Sequence, residues 1–122
     1  MAHHTTVRAL AHSRSGDKGD TSNIAVIAYN RPAYVLLHEQ LTAARVADRL
    51  AGVVEGEVRR YAVDGLGVLN FVCEGALGGG VSRSLRLDNY GKTLASAVLP
   101  IEIALPADFD TELLRGPAPT FD

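Results

Sequence analysis

Cysteine is almost missing from this chain: Cys73 stands alone among 122 residues. A lone thiol can form neither an intrachain disulfide nor a paired-cysteine zinc site. With no sign of an oxidising compartment, a cytoplasmic location is the expectation. Long hydrophobic runs are missing too. Nothing approaches the roughly 20 apolar residues of a membrane-spanning helix, and residues 1–6 lack the apolar centre of a signal peptide. A surplus of positive charge is absent as well, since 12 Lys and Arg against 14 Asp and Glu leave a net charge of -2. The basic residues are spread along the chain, which argues against nucleic acid or an anionic membrane as partner.

Familiar catalytic signatures are also lacking. No G-x-S-x-G elbow and no H-E-x-x-H occurs, and His12 and His38 are isolated in sequence. Gly91-Lys92-Thr93 resembles the end of a phosphate-binding loop, but Arg86 stands where that loop needs its first glycine. The adjacent His3 and His4 lie on a terminus expected to fray, so no metal site is expected there.

What is present suits one soluble globular domain over residues 1–122, with 47% hydrophobic and 21% charged residues. Its ordered core is expected over about 5–105, followed by a loosely packed tail rich in proline. Alternation of Val7, Ala9 and Ala11 with Arg8, Leu10 and His12 predicts a first strand over 5–12. A second follows over 24–29 and stops before Pro32. Leu36, Leu37, Leu41, Ala44, Val46, Ala47 and Leu50 then recur at helical spacing, with Thr42 placed to cap a second helix after a bend. Val58, Tyr61 and Val63 mark a strand, and Asp64-Gly65 turns it into an antiparallel partner over 66–73. A helix over 81–90 ending at Gly91, and a long alternating strand from Ala95 to Leu105 with Pro100 at an edge or bulge, complete the order. Strands and helices in this order predict an α+β sandwich, ferredoxin-like, with a largely antiparallel sheet, two helical segments on one face and an additional strand.

One segment is more polar than a reversal of direction requires. Residues 13–20, SRSGDKGD, read as a loop between two strands, followed by Ser22 and Asn23. In such a loop Gly16 and Gly19 turn backbone amides toward a common point, Arg14 and Lys18 supply positive charge, and Ser13, Ser15 and Ser22 add hydroxyls: an anion-binding arrangement. The other reading is a self-satisfied turn in which Asp17 and Asp20 cap amides and pair with the two cations. Asp17 and Asp20 are also candidate ligands for a divalent cation, although carboxylates at this spacing are common by chance. A second glycine cluster, Gly78, Gly79 and Gly80, leads into Ser82 and Arg83, where helix N-terminal amides favour an anion. Its alternative is a tight connection with solvated arginines. For catalysis, His12 at the end of the first strand and Asp17 are the candidate general bases. Cys73, within an apolar run, reads as an inert core thiol. Asn70, a polar amide in an apolar strand, requires a hydrogen-bond partner.

The runs SGDKGDTSNIAVIA and LNFVCEGALGGGVSRSLRLDNYGKTLA resemble the small domain at the C-terminal end of AtuA-type acyclic terpene utilisation proteins, over residues 8–105. That resemblance implies a ferredoxin-like fold and a link to bacterial breakdown of acyclic terpenoids or similar acids, whose intermediates are coenzyme A thioesters. It implies no catalytic residues. Standing apart from the large domain to which such a unit is otherwise fused, the chain is expected to act with a separate AtuA-like large protein. Two functions follow as expectations: an accessory or ligand-binding subunit, or a stand-alone enzyme acting on an acyl thioester with His12 or Asp17 as base. No resident cofactor is expected, coenzyme A thioester is the candidate ligand, and a homo-oligomer built through the last strand and tail is expected.

Overall fold

The computed structural model describes residues 3–18, 21–52, 54–75, 93–115 and 120–121. The chain runs β1 (His3–Thr6), α1 (Val7–Leu10), β2 (Ala11–Lys18), β3 (Thr21–Ala28), α2 (Arg31–Gln40), α3 (Ala43–Arg49), β4 (Val58–Val63), a 3-10 turn (Asp64–Leu66) and β5 (Val68–Cys73). It continues through α4 (Thr93–Val98), β6 (Glu102–Leu105), a second 3-10 turn (Thr111–Leu113) and β7 (Thr120–Phe121).

A four-stranded antiparallel sheet in the order β2-β3-β5-β4 carries the fold. Side chains alternate along each strand, so one face of this sheet presents Ile24, Val26, Leu69, Phe71 and Cys73, all buried. These residues join one apolar core with Ala33, Leu36, Leu37 and Leu41 of the α2 region, Val46 of α3, and Leu94 and Val98 of α4. The helices therefore cover one face of the sheet, an α+β arrangement of ferredoxin-like type. Asn30 caps α2 by accepting from the Ala33 N–H at 2.9 Å, and Pro32 sits in the first turn, where its missing N–H costs nothing. Thr42 caps α3 through the Arg45 N–H, so the bend expected at this residue is real.

The additional strand is β2. It occupies a sheet edge and pairs with β3 from Ala11 opposite Ala28 to Lys18 opposite Thr21. Residues 13–18 are thus strand, not loop, and the first strand expected over 5–12 is divided into β1, one helical turn and the start of β2. Long-range bonds impose that division: Val7 N–H to Ile101 O at 2.9 Å, Arg8 N–H to Leu99 O at 3.0 Å, and Tyr29 N–H to Leu10 O at 3.0 Å. The long final strand is also corrected. Residues 93–98 form α4, in which Leu94, Ala95 and Val98 are buried at helical spacing, and only Glu102–Leu105 is strand.

β6 leaves the main sheet and pairs antiparallel with β1, Thr5 opposite Ile103, in a second sheet of order β6-β1-β7. His3 and His4 are therefore strand residues, not a frayed end. Gln40 covers the other edge of β6: its amide donates to Ala104 O and accepts from the Ala104 N–H, both at 2.8 Å. Arg45 adds a bond to Glu102 O at 2.7 Å. An assembly through β6 meets an edge already occupied. Beyond β6, Phe109 and Leu114 pack against the core and the Arg115 N–H donates to Ala9 O at 2.8 Å, so this part of the tail is tied down. No helix among the described residues is long and apolar enough to cross a membrane.

Candidate functional site

β2 places the predicted site residues on two faces. Ser13 lies opposite Val26 and Ser15 opposite Ile24, on the helix-covered side. Ser13 Oγ donates to Ala95 O at 2.8 Å and so ties the sheet edge to α4. Ser22, buried, donates to Gly16 O at 3.0 Å. These two hydroxyls are occupied by backbone carbonyls. His12, Arg14 and Gly16 alternate onto the other side, opposite Ile27, Ala25 and Asn23. Positions 12 and 17 fall on opposite faces of β2, so the two candidate bases do not share a site. His12 is exposed and rests against Tyr29, with ring centroids 5.6 Å apart.

Gly16 is a ladder residue in an extended strand, which removes the cradle of turned amides expected around it. It serves a different purpose. A Cβ there would meet Asn23 Oδ1 at 3.3 Å, so glycine leaves room for the Asn23 side chain across the strand pair. Gly19, Asp20, Gly78, Gly79, Gly80, Ser82 and Arg83, with the helix expected over 81–90, lie outside the described residues. Asp17 and Lys18 are described in backbone only.

The side of the main sheet turned away from the helices carries Ala25, Ile27, Val68 and Val72, all half-buried, with exposed Tyr61 and Val63 on β4. In its middle the Asn23 Nδ2 donates to Asn70 Oδ1 at 3.1 Å. Asn70 thus has the partner its setting demands, supplied by a predicted site residue. Arg14 on one edge strand and Arg59 on the other flank this face. Arg59 is neutralised by Glu57 at 3.3 Å and by Glu74. The result is an apolar surface with a central amide pair and a charged rim.

A second polar corner, which the sequence reading passed over, forms where α2 meets the β4–β5 turn. Asp64 is its hub. Tyr34 donates its hydroxyl to Asp64 Oδ1 at 2.5 Å, His38 Nε2 lies 3.9 Å from the same oxygen, and Arg31 donates to the Asp64 carbonyl at 2.9 Å. Arg31 also lies over the Tyr34 ring, 5.1 Å from its centroid, and Tyr34 and His38 meet edge to face. Burial, and then the Asp64 carboxylate beside it, raises the Tyr34 pKa above its ordinary value. Arg60 donates to His38 O and Leu41 O at the end of α2, where a cation complements the helix dipole. Arg31, Tyr34, Val35, His38, Glu39 and Asp64 line a cleft of about 310 Å³. The signal was in the sequence: Arg31, Tyr34 and His38 recur at spacings of three and four, which is one helix face.

Cys73 is fully buried, and burial pushes its thiol up to about 11, so it is an inert core group as expected.

A family model described as the AtuA ferredoxin-like domain matches residues 5–104. No curated protein and no solved structure gives a significant match.

Proposed function

The chain belongs to the AtuA ferredoxin-like domain family, and on that premise we propose that it is an accessory or ligand-binding subunit of an AtuA-like large protein. The work of the pair is the bacterial catabolism of acyclic terpenoid or similar acyl-coenzyme A compounds. One observation carries the reading: the face of the main sheet that none of the described helices covers, half-buried and apolar, holds the Asn23–Asn70 amide pair at its centre. That pair uses one donor and one acceptor. Among the described residues Asn23 Oδ1 and Asn70 Nδ2 have no other partner, and amides fixed within an apolar surface give a docking partner both area and register. Arg14 at the rim adds a cation to which an anionic group of the partner or its ligand can pair. Arg14, with Lys18 and the second glycine cluster, binds the ligand, a coenzyme A thioester.

Co-expression with the AtuA-like large protein tests this directly. The expected result is a complex that survives size-exclusion chromatography and is lost in Asn70→Arg, with the thioester binding the complex and not an Arg14→Ala variant of it. Failure to co-purify, or a complex indifferent to Asn70→Arg, overturns the reading.

A further inference from the structure

Arg31 is a cation held in place without a counter-ion. Its Nη1 donates to the Asp64 carbonyl oxygen, and the Tyr34 ring supports the guanidinium from below. Among the described residues no carboxylate oxygen comes within ion-pairing distance of it. Among the described residues its remaining N–H groups have no acceptor, and it lines both the cleft of about 310 Å³ and a neighbouring one of about 270 Å³. The Asp64 carboxylate in the same cleft is engaged by the Tyr34 hydroxyl and faces His38. On either side stand large apolar side chains left in water, Val35 at 53% exposure and Leu66 at 73%. An exposed guanidinium with no carboxylate partner among the described residues, beside uncovered aliphatic surface, is an incomplete arrangement.

We propose that this corner binds a small carboxylate with a short apolar tail. The carboxylate pairs with the free N–H groups of Arg31, whose planar fork suits two parallel hydrogen bonds. The tail covers Val35 on one side or Leu66 on the other, with the Tyr34 ring between the two clefts as a floor. One cleft lies at the lower end of the range for small-molecule sites and the other just below it, which sets the ligand's size. Glu39 at the rim disfavours a second negative charge. The site lies on α2 and the β4–β5 turn and stands independently of the sheet-face proposal.

The test uses the full chain labelled with 15N and titrated with 3-methylbutanoate, with 3-methylbutylamine and 3-methylbutan-1-ol as controls. Saturable shifts are expected at the amides of Arg31, Val35, His38 and Leu66 with the carboxylate, and not with the amine or the alcohol. Arg31→Gln keeps a hydrogen-bonding side chain but not the charge, and weakens binding about tenfold or more. Val35→Asp weakens it comparably, while amide positions away from the corner stay where they are and report an intact fold. No saturable shift with 3-methylbutanoate, equal binding of the amine, or unchanged affinity in Arg31→Gln overturns the proposal.

Discussion

Tyr34 reaches from the first turn of α2 to Asp64, its hydroxyl 2.5 Å from Oδ1, and thereby fastens the helix to the β4–β5 turn. Tyr34 is 4% exposed, so its hydroxyl has little access to water as a substitute acceptor. A bond to a charged acceptor contributes about 1.5–3 kcal/mol. Tyr34→Phe is expected to lower stability within that range in urea denaturation. Asp64→Ala is expected to cost at least as much, because it strands the hydroxyl. The double variant should fall well short of the sum of the two, and a purely additive result would show that the pair is not coupled.

Alkaline pH should weaken the fold through two groups. The Cys73 thiol rises from 9.0 to about 11 on folding, and Tyr34 rises from 10.0. In both cases the unfolded chain releases its proton first and binds fewer protons than the folded chain. Stability is therefore fully present below the unfolded values and declines as pH climbs through the folded ones. Denaturation midpoints should hold up to about pH 9 and then fall. Cys73→Ala should flatten the part between about 9 and 11, and Tyr34→Phe the part above 10. The same burial predicts that Cys73 resists alkylation at pH 8 until the chain unfolds.

Gly56 and Gly75 meet where the β4–β5 pairing ends, with the Gly56 N–H donating to Glu74 O at 2.9 Å. A Cβ on Gly56 would lie 2.5 Å from that carbonyl oxygen, which is backbone and cannot swing aside. Gly75 has φ +69 and would place a Cβ 2.9 Å from Gly56 N. Gly56→Ala should destabilise by about 1–3 kcal/mol, the usual cost of overpacking. Gly65→Ala is the control: nothing lies within 4 Å of its added Cβ, and it should be neutral or slightly stabilising through the unfolded chain.

Gln40 imitates a neighbouring strand for Ala104, filling both backbone positions that this residue would otherwise present. Gln40→Ala should cost only about 0.5–1.5 kcal/mol, since water replaces the amide at this exposed site. Its larger effect should be on association, because a freed edge can template pairing with another chain. Light scattering should show concentration-dependent growth in Gln40→Ala. Gln40→Lys, equally unable to make both bonds but charged at the edge, should lose the stability without the association. Growth in neither variant would mean that the edge needs no cover.

The elements that the sequence displayed were those set by local chemistry. The α2–α3 bend followed from Thr42 as a cap, and the β4–β5 hairpin from Asp64-Gly65 between apolar runs. The stretch from His3 to Lys18 was illegible for a physical reason. Over four residues, Val7 to Leu10, a two-residue period and a helical turn both bury Val7 and Ala9, and bonds to Ile101 and Leu99 decide between them. Residues 13–18 have poor strand propensity and look like a loop, yet pairing with β3 overrides that preference. β2 lies at a sheet edge and its described residues from His12 to Gly16 are exposed or only half-buried, so its sequence could be polar without conflict. Likewise the Asp64 hub joins residues 30 apart, a contact no local pattern encodes.

The Asn23–Asn70 pair separates structural from functional need. If the amides are kept for stability, replacing both should weaken the fold. If they are kept for docking, it should not. Removing one partner leaves the other half-buried and unmatched, so Asn70→Val alone is expected to cost about 1 kcal/mol. Replacing both with valine restores a uniformly apolar, strand-favouring face, for which the expected stability equals or exceeds that of the native chain. The same double variant should lose the complex with the AtuA-like large protein, because the fixed donor and acceptor are gone while the area is unchanged. A double variant that is both less stable and still able to bind would assign the pair to folding and remove it from the docking face.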